Sequence, residues 1–328
     1  MINKRMHLVD ELYREDIKQV PTRDGYGYGL IELGEKDKNV VVLCADLTDS
    51  TRSKWFKDKF PERFIEIGVA EQNLVTVASG LAAVGKIPFV ASYAMFCPGR
   101  CWEQIRTTIC YNEQNVKIAG AHAGVSVGPD GATHQALEDI AIMRTLPNMV
   151  VVVPCDVHEA KKATIAVGRI RKPAYVRFTR DKTPVFTTEA TPFRLGKAEI
   201  YREGKDVAII ACGPLVYQAL QGAKELEKDG IKAVVVNCHT VKPLDDETIT
   251  KVAKKAGAVL TVEEHQIIGG LGSAIAECLS ENYPVPLKRV GINDRFGESG
   301  EPNELLEKFG LIHTNIAKSV RELLASKK

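Results

Sequence analysis

The chain has 328 residues, 45% hydrophobic and 26% charged, with 44 Lys+Arg against 42 Asp+Glu and a formal net charge of +2. This is the balance of an ordinary globular protein with room for two cores. It has neither the basic excess of a nucleic-acid binder nor an apolar run of about 18 residues that would span a membrane. The opening Met1-Ile-Asn-Lys-Arg-Met-His7 has no apolar signal-peptide core, so a cytoplasmic protein is expected, with no nucleic-acid or membrane partner.

Short β-branched runs then alternate with amphipathic stretches. Residues 39–45, 64–68, 87–92, 116–121, 149–154 and 174–178 read as strands buried on both faces. The helix candidates between them are 71–84, followed by Gly85, then 100–111, 134–146, and 157–168 with Asp156 as its N-cap. Alternating strand and helix predicts an α/β domain with a mostly parallel sheet. Residues 183–194 carry two prolines and several threonines without helical period, and read as a linker. Beyond them, strands at 207–211, 233–236, 259–263 and 287–290 alternate with helices at 215–228, 245–256, 272–279, 304–309 and 315–324. The expected fold is two α/β domains, 1–188 and 189–328.

The eight cysteines form no CxxC pair, and several lie in or beside apolar strands. They read as reduced, buried thiols behaving as small hydrophobes. Cys97 and Cys101 have a spacing that could suit a metal, but no Cys/His pair completes a zinc set, and no metal site is expected. Gly269-Gly-Leu-Gly272 precedes a helix and could bind an anion. It matches neither dinucleotide nor Walker spacing, so a tight turn is the simpler reading.

Glu71 stands at the start of an otherwise apolar helix. It either serves the helix dipole or, enclosed by apolar groups, favours its neutral form and donates a hydrogen bond. Tyr93-Ala-Met-Phe96 and Trp102 put aromatics at the end of one strand and the start of the next helix. Such residues usually pack the core, but carboxyl ends of parallel strands are also where α/β proteins place ligands. The segment 120–135 is dense in glycine and holds His122, Asp130 and His134, which makes it a candidate functional loop. Arg23 precedes the first helix and Arg180 ends the last strand of the first domain; guanidinium forks suit phosphate.

The chain resembles the C-terminal half of transketolase over nearly its full length. The segments that carry the resemblance are Pro21-Thr-Arg-Asp24, Cys44-Ala-Asp-Leu-Thr-Asp-Ser50, Val69-Ala-Glu-Gln-Asn73, Gly128-Pro-Asp-Gly-Ala-Thr-His-Gln135 with Leu146-Pro-Asn148, and Thr240-Val-Lys-Pro-Leu244. The resemblance implies a pyrimidine-binding domain of the thiamin diphosphate type, then a transketolase C-terminal domain without catalytic groups. Glu71 then matches the glutamate that hydrogen-bonds the cofactor's aminopyrimidine and favours its imino tautomer. Phe96 matches the aromatic stacked on that ring, Trp102 a second aromatic wall, and Leu47 and Val69 apolar contacts. His122 and His134 match histidines beside the sugar hydroxyls, where they join Glu71 in catalysis. Asp130 matches an aspartate that recognises a sugar hydroxyl. Arg23, Ser50, Arg180 and His122 match anchors for the substrate's phosphate.

The chain departs from the commonest pattern at Pro129 and Ala132 around Asp130, at Gln72, at Trp102, and in Cys97-Pro-Gly-Arg-Cys101. It also contains no Gly-Asp-Gly, the segment by which family members hold Mg²⁺ and the diphosphate. Those ligands are expected on a separate N-terminal subunit. The implied enzyme is a split transketolase of the pentose phosphate pathway, a self-associating heterotetramer that moves a two-carbon ketol unit between sugar phosphates. Alternatives with the same cofactor are the β subunit of a 2-oxo-acid dehydrogenase and a deoxyxylulose-phosphate-synthase-like enzyme. A non-catalytic structural or regulatory paralogue is an alternative of another class.

Overall fold

The computed structural model describes residues 1–326. Its first sheet has seven strands in the spatial order Thr240–Lys242, Val150–Val152, Ala174–Arg177, Lys117–Ala121, Ile87–Tyr93, Val40–Cys44 and Phe64–Glu66. The six strands from the first half pair in parallel. Their apolar runs lie buried on both faces. Val40, Val42, Phe89 and Val176 pack under helices Thr22–Lys36 and Val157–Arg169. Val41, Leu43, Val90 and Ile118 face the opposite way, toward helices Glu71–Ala83 and Asp139–Arg144. This is the strand alternation applied to a sheet covered on both sides. Asp156 caps its helix through the Glu159 amide at 3.1 Å, as the sequence predicts. The glycines of the first helix serve contact between helices: a Cβ on Gly25 would lie 2.2 Å from the Val157 carbonyl oxygen.

The second sheet has the order Leu287–Ile292, Val259–Gln266, Val207–Ala211, Ala233–Asn237 and Glu199–Arg202, parallel except for the last strand. Helices Leu215–Leu226 and His313–Ser326 cover one face, Asp246–Ala256 and Leu271–Asn282 the other. Two α/β domains with mostly parallel sheets are therefore present. A single apolar core runs from Val41 and Leu74 of the first to Val236 and Leu271 of the second.

Two segments cross between the halves. Residues 1–17 lie on the second domain, where Ile2 bridges to Arg202, the Asn3 amide donates to the Tyr201 carbonyl at 2.9 Å, and Met6 and Leu12 enter its core. In exchange, Thr240–Lys242 extends the first sheet antiparallel to Val150–Val152.

The expected helices depart from the structure at two places. The helix expected at 134–146 is confined to Asp139–Arg144. The His134 and Gln135 amides both return to the Gly131 carbonyl, which holds residues 131–135 in a turn. The helix expected at 100–111 begins at Trp102 and widens into a π-helix over Ile105–Cys110. There the Thr107 and Thr108 hydroxyls bond the carbonyls of Glu103 and Gln104 at 3.0 and 2.7 Å and compete with the backbone ladder.

Candidate active site

The loops that leave the carboxyl ends of the first sheet's parallel strands carry most of the candidate residues. After Val40–Cys44 come Leu47 and Ser50, and after Phe64–Glu66 come Val69 and Glu71. Phe96 follows Ile87–Tyr93, the segment with His122, Asp130 and His134 follows Lys117–Ala121, and Arg180 follows Ala174–Arg177. Arg23 stands in the first turn of helix Thr22–Lys36, not before it as the sequence suggests. Ligand sites in open α/β sheets lie along this edge.

His122 is the centre of one half of the site. It is fully buried and adopts a left-handed backbone (φ 58°). Its Nε2 lies 3.1 Å from Nη1 of Arg23, which also donates to the Ser50 carbonyl at 2.8 Å. A guanidinium only donates, so Nε2 accepts and the ring proton is on Nδ1. Burial, reinforced by the positive charges of Arg23 and Arg180, lowers the imidazole to about 3. His122 is thus a neutral ring whose Nδ1–H is buried without a partner. In this state its basic lone pair is taken, so it offers a proton to an acceptor rather than receiving one. Arg23 has a buried Nε without a partner, and among the described residues no carboxylate pairs with it. Arg180 is paired with Asp130 at 2.6 Å. A cation free of any carboxylate beside a buried N–H suits an oxyanion.

Tyr93 joins this half to the next. Its ring meets His122 edge-on with centroids 4.2 Å apart, and its hydroxyl lies 3.2 Å from Oγ of Ser50. The ring of His134 stands edge-on to both Tyr93 and Phe96, at 5.9 and 5.3 Å, while its Nδ1 is 2.9 Å from the Thr133 hydroxyl. The sequence leaves Tyr93 open between core packing and a ligand position at a strand's carboxyl end, and assigns it no role of its own.

Glu71 is 2% exposed. Ala70 occupies the N-cap position without a side-chain bond, and the Glu71 carboxylate turns instead to Nη1 of Arg100 at 2.7 Å and to the Ser92 hydroxyl at 3.4 Å. Of the two readings open from sequence, burial holds, but the partner is a guanidinium and not an apolar wall. Arg100 also lies over the ring of Phe96, 4.7 Å from its centroid. Trp102 is half-buried against the core and donates its indole N–H to the Ile142 carbonyl at 2.8 Å; no hydrogen bond or ring pairing among the described residues joins it to Glu71 or Phe96. Leu47 is half-buried on its loop, and Val69 is 71% exposed.

The second domain braces the loop that carries the histidines. Glu264, 4% exposed, accepts the Ser126 amide through Oε1 at 2.7 Å. A Cβ on Gly124 (φ +92°) would lie 2.2 Å from that oxygen, so only glycine fits the approach. Nε2 of Gln135 donates to the carbonyls of Val125, Gly128 and Glu298 at 3.1, 3.2 and 2.9 Å. At the helix turn Gly269–Gly272 the chain supplies its own acceptor. Oε2 and Oε1 of Glu263 already take the Leu271 and Gly272 amides at 2.7 and 2.8 Å. All eight cysteines are buried and free, and among the described residues no group of three or more His, Cys, Asp or Glu is placed to hold a metal.

These features define a two-domain α/β protein that gathers buried, unpartnered polar groups along the carboxyl edge of its first sheet. The transketolase pyrimidine-binding domain matches residues 18–185, and the transketolase C-terminal domain matches residues 196–316. The chain belongs to the transketolase family. It is 48% identical over 303 residues to a putative transketolase C-terminal section of Methanocaldococcus jannaschii, covering 92% of this chain and 95% of that protein. It is 44% identical to the 6-deoxy-6-sulfo-D-fructose transketolase subunit SqwH of a Clostridium species, covering 93% and 95%. A solved split-gene transketolase, an inactive β4 tetramer, superposes with a TM-score of 0.88 at 47% identity, covering 94% of this chain and all of that one.

Proposed function

We propose that this chain is the C-terminal subunit of a thiamin-diphosphate-dependent transketolase that moves a two-carbon ketol unit from a ketose phosphate to an aldose phosphate. An N-terminal subunit would supply Mg²⁺ and the diphosphate contacts. One observation carries the reading: a buried carboxylate, an aromatic face and a neutral buried histidine beside Arg23 converge on one sheet edge. Support for a partner comes from relatives that are themselves sections or subunits and match end to end.

The residues fit the pyrimidine half of the cofactor. Glu71 is a buried carboxylate able to bond a ring nitrogen, and Phe96 offers a flat apolar face. When bound, the cofactor supplies the electron sink that lets a carbon–carbon bond beside a carbonyl break. The chain's own residues do the rest. Glu71 holds a proton at the pyrimidine. His134 and Asp130 bond sugar hydroxyls, and the orphaned Nδ1–H of His122 bonds a further substrate oxygen. Arg23 and Arg180 bind the phosphate and fix the distance to the reacting carbon. The aromatic rings of Tyr93 and Phe96 exclude water from one side.

The test is reconstitution. The purified chain is mixed with its N-terminal partner, Mg²⁺ and thiamin diphosphate, and ketol transfer from a ketose phosphate to an aldose phosphate is followed. Transfer by the mixture and none by the chain alone is the expected result. Decarboxylation of a 2-oxo acid without ketol transfer would move the chain to one of the alternative enzymes. Turnover that survives Glu71→Ala unchanged would make it a structural paralogue.

A further inference from the structure

Arg100 belongs to Cys97-Pro-Gly-Arg-Cys101, a segment that the proposed chemistry leaves unused. Its guanidinium makes two contacts at once. Nη1 bonds Oε2 of Glu71 at 2.7 Å, and the planar group lies over Phe96, 4.7 Å from the ring centroid. These are the carboxylate and the aromatic face that an aminopyrimidine ring would need. A guanidinium is a flat, delocalised N–C–N group with N–H donors. The amino-substituted N–C–N edge of a pyrimidine is similarly flat and presents an amino N–H donor, beside a ring nitrogen that donates only when protonated. Arg100 itself is 48% exposed, while the carboxylate it covers is 2% exposed. The arginine can therefore swing out into solvent, but the carboxylate cannot follow.

We propose that Arg100 is an internal stand-in for the aminopyrimidine, filling its place on Glu71 and Phe96 until the cofactor displaces it. The inference rests on the thiamin diphosphate reading and adds a competition to it. While the pair is closed, the buried Glu71 carboxylate has a partner, so the cofactor-free site leaves it satisfied. The measured affinity is lowered by the fraction of molecules in which the pair is closed. Once displaced, Arg100 leaves Oε2 of Glu71 free to bond the ring.

The experiment titrates thiamin diphosphate, with Mg²⁺, into the chain assembled with its partner. Binding is read by calorimetry for the wild type and for Arg100→Met, which keeps an apolar stem over Phe96. The variant is expected to bind roughly two- to fivefold more tightly, the range opened by losing one half-exposed ion pair. Its cofactor-free form is expected to melt below the wild type, with the gap closing at saturation. A second reading uses the wild type alone, so it does not depend on the variant folding. The Arg100 guanidinium protons, followed by NMR, should be protected from exchange without cofactor and lose that protection when cofactor is added. Equal or weaker binding by Arg100→Met, or protection that persists in the saturated complex, overturns the proposal and leaves the cofactor reading standing. Absence of saturable binding by the wild type overturns both.

Discussion

The carboxyl ends of strands Lys117–Ala121 and Val259–Gln266, one in each sheet, meet at the bond from the Ser126 amide to Glu264, yet they treat their polar groups differently. Along the first edge, groups stay available: Nδ1 of His122 and Nε of Arg23 are buried without partners. At the end of Val259–Gln266 the titratable groups are spoken for within the chain, while at the end of Ala233–Asn237 in the same sheet Oδ1 of Asn237 and Nε2 of His239 lie buried without partners. Glu263 takes two helix amides, Glu264 takes the Ser126 amide, and His265 is bonded on both ring nitrogens, to the Ala141 amide at 3.3 Å and the Gln266 carbonyl at 2.7 Å. Both edges are built by the same α/β arrangement. Unsatisfied buried polar groups are costly, and they persist where a ligand completes them. The end of Val259–Gln266 thus braces the loop of the first edge.

Substitutions at the two edges should therefore differ in kind. The largest effect is expected at Glu71. Alanine there should lower turnover of the reconstituted enzyme by about two orders of magnitude or more, the usual loss when a positioned acid–base group is removed. His134→Ala comes next. It should reduce kcat/KM for the sugar substrates by at least roughly tenfold while thiamin diphosphate affinity is kept, in line with loss of a transition-state hydrogen bond. Equal losses in both measurements would remove it from the substrate side. At the second edge, Glu264→Ala should cost about 1–3 kcal/mol in denaturant unfolding, because the Ser126 amide loses its partner. It should also raise KM several-fold by loosening the loop that carries Asp130 and His134, and Glu264→Gln, which keeps the acceptor, should restore most of both. An alanine variant with wild-type KM would break the idea that the second domain positions the site.

The smallest effect is a pH dependence. Burial raises the carboxyl of Glu263 to about 7 and that of Glu159 to about 7. The folded state then holds protons that the unfolded chain has released, so stability contributed by these groups is present below about 4.5 and is lost as pH rises through about 7. Urea midpoints across that range should fall less steeply for Glu263→Gln than for the wild type. Identical slopes would place the charge elsewhere.

Much of the scaffold could be read from the chain. Runs such as Val40–Cys44 are apolar at every position, and a strand buried on both faces needs that pattern. The site's outline was also legible, since glycine, histidine and aspartate crowd the segment after a strand. What escaped depended on contacts between distant residues. Residues 134–138 look helical because nothing local shows that Gln135 spends its side chain on three carbonyls, one of them Glu298. Trp102 has the composition of a pocket wall, yet its N–H is drawn to Ile142, 40 residues away. Arg100 resembles any solvated arginine until Glu71 is seen beside it, 29 residues apart in sequence.

The exchange of segments between the halves bears on how such an enzyme can be divided. Residues 1–17 fasten onto the second domain, and Thr240–Lys242 completes the first sheet. A genetic cut within 186–195, between the two family domains, would strip each piece of a strand or an anchor held by the other, and neither half would inherit an intact core. In this chain each domain is completed by a segment of the other, so the two fold as one part.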